Sequence, residues 1–384
     1  MLQTRLAMNA ENTHCDMSIL LQELKSRGEE FENQKYITHD IIEKFKELGV
    51  YRALVPKKYG GTEMTPAQFC QLIENISIAD GSAGWVASFG MNPFYLGGLP
   101  LSTLDEIYRN GPDVVFAGGI FPPQKAMVTD KGFVVSGRWG FASGCMGASL
   151  IGVGIVPENG EEKSLPRIAV LPKNQTTIDP VWNTVGLAGT GSHDVVVDNV
   201  VVPEEWTFIR GGKLNLQGDL YRYPVLSLAT QVLAVVSAGV ARAALNEIYT
   251  IAGQQRSVTG APRLADRQFA QRDVAHCEAE LNSARSWFYD AIDKVWQTLC
   301  RGDAPQDEDV NLLRLSATHL TRVAAKVTSK TLMLAGMPGI SMRSPLQRYA
   351  RDSMVITQHA FMGELTYINA GNMFFGQSPL PGYL

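Results

Sequence analysis

Residues 185–203 read VGLAGTGSHDVVVDNVVVP, and residues 133–144 read FVVSGRWGFASG. Both set β-branched runs between Gly, Ser, Asn and Asp, the pattern of short strands broken by turns. Asp194–Val202 suits two strand pieces around a turn. The glycines at 186, 189 and 191 do not fit GxGxxG, and a strand rather than a helix follows them. A tight turn is therefore favoured over a phosphate cradle.

Outward from these stretches, residues 113–120, 133–137, 149–156 and 167–172 are further β-rich runs between turn residues, which predicts a β domain over 113–210. The flanks are helical. On the N-terminal side, Ile41, Ile42, Phe45 and Leu48 share a helical face that Gly49 ends. Thr65, Pro66 and Gln68 form a capping box ahead of Phe69, Leu72, Ile73 and Ile76. On the C-terminal side, apolar residues keep a three-or-four spacing from Ala270 to Leu299 and again from Val310 to Val327. Two such long amphipathic helices need partners, so a helix bundle is expected. The division is a helical domain over 1–112, the β domain over 113–210 and a helical bundle over 211–384, an α+β fold.

Composition narrows the function classes. The chain has 384 residues, 45% hydrophobic and 19% charged, with a formal charge of -4. It is long enough for more than one packed unit. Lys and Arg form no long run, which argues against nucleic-acid binding. Five widely spaced cysteines without a CxxC pattern point to a reducing compartment and away from structural zinc. No signal peptide is visible, and the apolar run near 225–241 is interrupted by Ser227, Thr230, Gln231 and Ser237, so no membrane span is expected. These features together predict a cytoplasmic protein. The patterns GxxxxGK[ST], HExxH and GxSxG are absent, and the six histidines show no metal-ligand spacing.

Taken together, FVVSGRWGFASG, VGLAGTGSHDVVVDNVVVP and AGMPGISMRSPLQRYARDSMVITQHAF (335–361) resemble the acyl-CoA dehydrogenase fold over nearly the whole chain from Ile41. The departures are equally informative. Arg351-Asp352 are present, but Ala360, with His359 beside it, stands where most dehydrogenases of the family carry their carboxylate base. FAGGIFPPQKA (116–126) replaces the family's Thr-Glu-Pro and Gly-Ser-Asp strings. GRW-x-F-x-SG and PLQR…RD…QH instead resemble the two-component flavin-dependent monooxygenases of this fold, with the indole and indole-acetate oxygenases nearest.

That resemblance implies an oxygenase using FADH2 (or reduced FMN) and O2 to hydroxylate a small aromatic substrate through a flavin C4a-hydroperoxide. The chain shows no NAD(P)H-binding Rossmann pattern, so a separate NAD(P)H-dependent reductase must supply the flavin. A homotetramer is implied as well. His359 and Ser143 are the implied catalytic residues. Alone, His359 reads as a satisfied core histidine; within this pattern it becomes an acid, base or donor for oxygen transfer. Ser143 reads blandly as a turn residue before Gly144, but by resemblance it sits beside the flavin N5–C4a edge. Trp139 and Phe141 could be strand core; by resemblance the segment runs along the isoalloxazine. Arg256 corresponds to a pyrophosphate partner, for which a guanidinium fork is suited. Gly336 and Gly339 match a turn that approaches the cofactor from a neighbouring subunit. By position, Trp85, Asn92, Tyr95 and Phe361 line the substrate pocket, with Asn92 where some relatives have a second histidine. Two alternatives stay open: an acyl-CoA dehydrogenase with a displaced base, and a non-catalytic protein of the flavin fold.

Overall fold

The structure, a computed structural model, describes residues 16–158, 165–254 and 260–384. Six helices come first: α1 (Met17–Gln34), α2 (His39–Glu47), α3 (Pro66–Ala79), α4 (Gly81–Ala87), α5 (Pro93–Leu96) and α6 (Leu101–Ile107). Seven strands follow: β1 (Phe116–Thr129), β2 (Gly132–Trp139), β3 (Leu150–Pro157), β4 (Arg167–Pro172), β5 (Thr177–Asp179), β6 (Asp194–Val202) and β7 (Thr207–Ile209). Five helices close the chain: α7 (Val225–Ala252), α8 (Gln268–Cys300), α9 (Asp307–Ala335), α10 (Pro345–Ile356) and α11 (Glu364–Phe374). The helical, β and helical segments share one continuous hydrophobic cluster.

Local chemistry accounts for the element ends. The Thr65 hydroxyl accepts from the Gln68 N–H while the Gln68 side chain accepts from the Thr65 N–H, so the capping box of α3 is complete. Gly49 follows α2 at φ +77°, the left-handed turn that glycine adopts without a Cβ penalty.

The sheet runs β5-β6-β2-β1-β3-β4-β7, with β1 and β3 parallel and the other pairs antiparallel. Two strands differ from the expectation. β1 begins at Phe116 and continues to Thr129, with its register broken between Gly119 and Gln124. β6 is one strand rather than two pieces. Its Asp-Asn pair makes a bulge instead of a turn: Asn199 sits at φ +57° and donates its N–H to the Ser136 hydroxyl at 2.8 Å, where the β2 register slips.

Periodicity does not reveal α7, because α7 is buried on every side over residues 226–241. Among the described residues it is the one helix long and apolar enough to cross a membrane, yet 94% of its most apolar window is buried in this structure. Of the polar residues that interrupt the run, Thr230 and Ser237 are satisfied locally and Gln231 in part, while the Ser227 hydroxyl and the Gln231 amide nitrogen are buried without a partner. Thr230 donates to the Leu226 carbonyl, Ser237 to that of Ala234, and the Gln231 carbonyl accepts from the Tyr223 hydroxyl. Gly239 lets α3 approach: a Cβ there would stand 2.5 Å from the Cβ of Ser77.

The three segments meet at the loop over residues 185–193. Gly189 packs against Phe31 of α1 and Ser82 of α4, with no room for a side chain. From α10, Arg351 donates to the Val185 carbonyl and pairs with Glu32 of α1 at 2.5 Å. The Asp352 carboxylate accepts the Leu187 N–H at 2.6 Å. Leu187 lies at φ +49°, uncommon for a branched side chain, so this bond holds a backbone form that the residue would not choose. A Cβ at Gly186 would meet the Arg351 carbonyl oxygen at 2.4 Å.

Asp352 is fully buried, and its pKa is pushed up to about 7, first by burial and next by Asp80; the Leu187 N–H, Arg348 and Arg351 oppose the rise. A folded pKa above the unfolded value means that ionisation costs stability, and the cost accrues as pH rises from about 4 to about 7. Asp352→Asn, which keeps the acceptor and removes the charge, is expected to gain Tm relative to the parent across that interval. Asp352→Ala leaves the Leu187 N–H without its partner and should cost about 1–3 kcal/mol. Thermal melts of the three proteins at pH 5 and pH 8 check both; an Asn-minus-parent difference that does not grow with pH contradicts the assignment.

Candidate active site

Four hydroxyl and indole groups form a directed chain beside this loop. Trp85 Nε1 donates to Ser143 Oγ at 3.2 Å, Ser143 Oγ lies 2.6 Å from Ser192 Oγ, and Ser192 Oγ lies 2.7 Å from Thr190 Oγ1. Thr190 Oγ1 donates to the Leu187 carbonyl at 2.8 Å. A carbonyl can only accept, so the Thr190 proton is committed there. Ser192 must then donate to Thr190, and Ser143 to Ser192. Ser143 thus presents an acceptor lone pair, and no proton, to anything that approaches it.

The backbone around Ser143 is held by the same loop. The Ala142 N–H donates to the His193 carbonyl, and the Gly144 N–H to that of Thr190. Just before them Phe141 adopts φ +60° with 74% of its surface exposed, its ring edge-to-face with Trp182 at 6.1 Å. An exposed aromatic in a disfavoured backbone region marks a place where packing in the isolated chain does not explain the conformation.

His359 also adjoins Trp85, their ring centroids 5.8 Å apart. It lies beyond the helix. α10 stops at Ile356, and His359 caps a short 3-10 turn, where its Nδ1 accepts from the Phe361 N–H at 3.3 Å. The His359 pKa is lowered to about 4, chiefly by burial and then by the charges of Arg210 and Arg314. At neutral pH the ring is therefore uncharged. With Nδ1 accepting, the proton belongs on Nε2. His359 offers a donor and not a base.

Phe361 adjoins it at 5.0 Å and carries two guanidinium groups, Arg314 at 5.0 Å and Arg210 at 5.5 Å from its ring centroid. Tyr95 belongs to the same neighbourhood: burial raises its phenol pKa, and the nearby Arg210 limits the rise. The structure thus groups Ser143, Trp85, His359, Phe361 and Tyr95.

Other expected residues lie elsewhere. Asn92 does not line a pocket. It is fully buried, its amide nitrogen donating to the Val114 and Tyr51 carbonyls and its oxygen accepting from the Tyr108 hydroxyl, so its polar atoms are spent inside the helical segment. Trp139 is likewise core: its indole is fully buried and donates to the Gly154 carbonyl at 2.8 Å, leaving only the backbone of its segment near Ser143. Gly336 ends α9 at φ +62° and faces open space, while Gly339 packs back against Ala335 and Leu332. Within one chain, Gly336 is required for its backbone conformation. Arg256 lies outside the described residues.

Models of the family match the chain over residues 18–99, acyl-CoA dehydrogenase N-terminal domain, and 231–364, acyl-CoA dehydrogenase C-terminal domain. An indole-3-acetate monooxygenase of Pseudomonas putida is 59% identical over 94% of this chain and 92% of its own length. The chain belongs to the flavin-dependent monooxygenases of the acyl-CoA dehydrogenase fold. An indole-3-acetate monooxygenase of Acinetobacter baumannii is 53% identical over 99% of both chains. XiaF from Streptomyces sp., solved with FADH2 and glycerol, superposes with a TM-score of 0.87 at 20% identity, covering 96% of this chain and 97% of that one.

The sequence reading missed Thr190, Ser192, Arg210 and Arg314. The signal for Arg314 was present, because a charge four residues after Val310 falls on the buried stripe of a helix that is otherwise apolar there. Ser192 and Thr190 look like ordinary turn residues, and only the fold brings them to Ser143. An NMR titration of the His359 imidazole is expected to give a midpoint near 4; a midpoint near the ordinary 6.5 contradicts the environment described.

Proposed function

We propose that this enzyme is an oxygenase component that hydroxylates indole-3-acetate with O2, using reduced FAD supplied by a separate reductase. The observation that carries the reading is that an acceptor, Ser143, and a neutral donor, His359, both adjoin Trp85. Among the described residues no carboxylate bonds to Ser143, Trp85, His359 or Phe361, which disfavours α-proton abstraction from an acyl thioester. When bound in reduced form, the flavin supplies the electrons that activate O2.

The protein's own groups fit such a cofactor. The reduced ring carries a proton on N5 and the oxidised ring does not, so an acceptor-only Ser143 favours the reduced state. His359 Nε2–H can donate to oxygen as negative charge develops on it. Preorganised donors of this kind are worth roughly 10²–10³ in rate. A base is not needed for an indole, whose pyrrole ring is electron-rich without ionisation; a phenol gains from deprotonation that a neutral His359 with its Nδ1 occupied does not provide. The close relatives named for indole-3-acetate support the same substrate.

The oligomer is part of this reading. Met333, Met337, Ile340, Met342, Phe374 and Phe375 are exposed around the ends of α9 and α11. We assign them to contacts within a homotetramer, where the turn at Gly336 and Gly339 meets a neighbour's flavin. The described cysteines are all free, in keeping with a cytoplasmic enzyme.

Turnover with reductase, NADH, FAD, indole-3-acetate and 18O2 should place one labelled atom in the product, detected by mass spectrometry. Label in a phenol but in no indole would refute the substrate. His359→Ala should keep flavin affinity and lose roughly 10²–10³ of product formation. Ser143→Ala should raise the H2O2 released per flavin consumed, and an unchanged ratio would remove Ser143 from the mechanism.

A further inference from the structure

Arg314 is the one lysine or arginine that is fully buried among the described residues, at 4% exposure. Five half-buried arginines pair with carboxylates: Arg27, Arg52, Arg242, Arg285 and Arg351 each have one within 2.6 Å. Arg314 and Arg210 have none among the described residues. Arg314 Nη1 donates to the Tyr383 carbonyl at 2.7 Å, and its remaining support is the faces of Phe361 and Tyr383. Arg210 lies over Phe121 and Phe361, and the Nε atoms of both arginines are buried without a partner.

Burying a guanidinium without a counter-ion is costly, and aromatic faces offset only part of that cost. The strain registers on neighbouring groups. Burial and the Arg210 charge lower the Arg314 pKa to about 10, and both cations lower that of His359. Two cations without a carboxylate among the described residues, set against one phenyl ring beside the donor histidine, call for an anion there.

We propose that Arg210 and Arg314 form the carboxylate-binding subsite of the substrate pocket, with Phe361 between them and the reacting ring held toward His359 and Trp85. This rests on the proposed indole-3-acetate activity and names what selects the acid over indole itself. Arginine suits the task because its planar fork matches a carboxylate. Phe361, packed against both guanidinium groups and against His359, separates charge recognition from chemistry. The acetate arm then sets the distance between the anion site and the pyrrole ring.

The test compares indole-3-acetate, indole-3-acetamide and indole on the full-length enzyme with reductase, measuring kcat/KM for each. Calorimetry gives Kd for the acetate, the acetamide and the flavin. The parent should prefer acetate to acetamide by roughly one to two decades, the size of a charge-assisted hydrogen bond. Arg314→Met and Arg210→Met should each lower the acetate-to-indole ratio of kcat/KM by about that factor, while flavin Kd barely changes. Equal loss on all three substrates, loss of flavin affinity instead, or no preference of the parent for the acid would overturn the proposal. Arg314 also ties down Tyr383, so should Arg314→Met fail to fold, Arg210→Met and the parent's acetate–acetamide comparison still decide. The two readings separate cleanly. Arginine-dependent binding of the acid without oxygenation sinks the activity and keeps the subsite; oxygenation indifferent to both arginines does the reverse.

Discussion

The bond from the Leu187 N–H to the buried Asp352 carboxylate is the constraint on which the site depends. It fixes a left-handed leucine in a loop wedged between α1, α4 and α10, and the Leu187 carbonyl then terminates the hydroxyl chain. Every proton orientation from Thr190 to Ser143 follows from that fixed acceptor. Arg351, the neighbour of Asp352, secures the same loop through the Val185 carbonyl and holds α1 through Glu32. The Arg-Asp pair is thus a structural clamp between the bundle and the β segment, one step removed from chemistry.

Burial does two different jobs around Trp85. On the Ser143 side it shelters a chain of neutral hydroxyls, each satisfied, in which polarity is dictated from one end. On the His359 side it acts with two positive charges to keep an imidazole uncharged and donating. The result is an acceptor and a donor that both adjoin one indole, with no carboxylate among the described residues bonded to the group. The arrangement suits oxygen transfer to a neutral, electron-rich ring and offers little to a reaction that must begin by removing a proton.

Much of this was legible in the sequence where a residue's role is local. The capping box at Thr65, the spans of α8 and α9, and strand β4 follow from periodicity and turn chemistry. α7 was not legible as a helix, because burial on all sides erases the 3.6-residue period. The bulge in β6 looked like a turn, because an Asp-Asn pair serves both. At the site, motif resemblance pointed to Ser143, His359, Trp85, Tyr95 and Phe361, which the fold gathers. It also pointed to Asn92 and the indole of Trp139, which the fold spends in the core. The partners of Ser143 come from a distant turn and the arginines from β7's end and from α9, so no local pattern could have joined them.

The central claim is that Ser143 is held as an acceptor by Ser192. The most direct measurement is the ratio of dissociation constants for oxidised and reduced flavin, in the parent and in Ser192→Ala. The parent is expected to bind the reduced form more tightly. Removing the Ser192 hydroxyl frees the Ser143 proton to turn outward toward an unprotonated N5, so the ratio should fall toward unity. A ratio that is the same in both proteins would contradict the account.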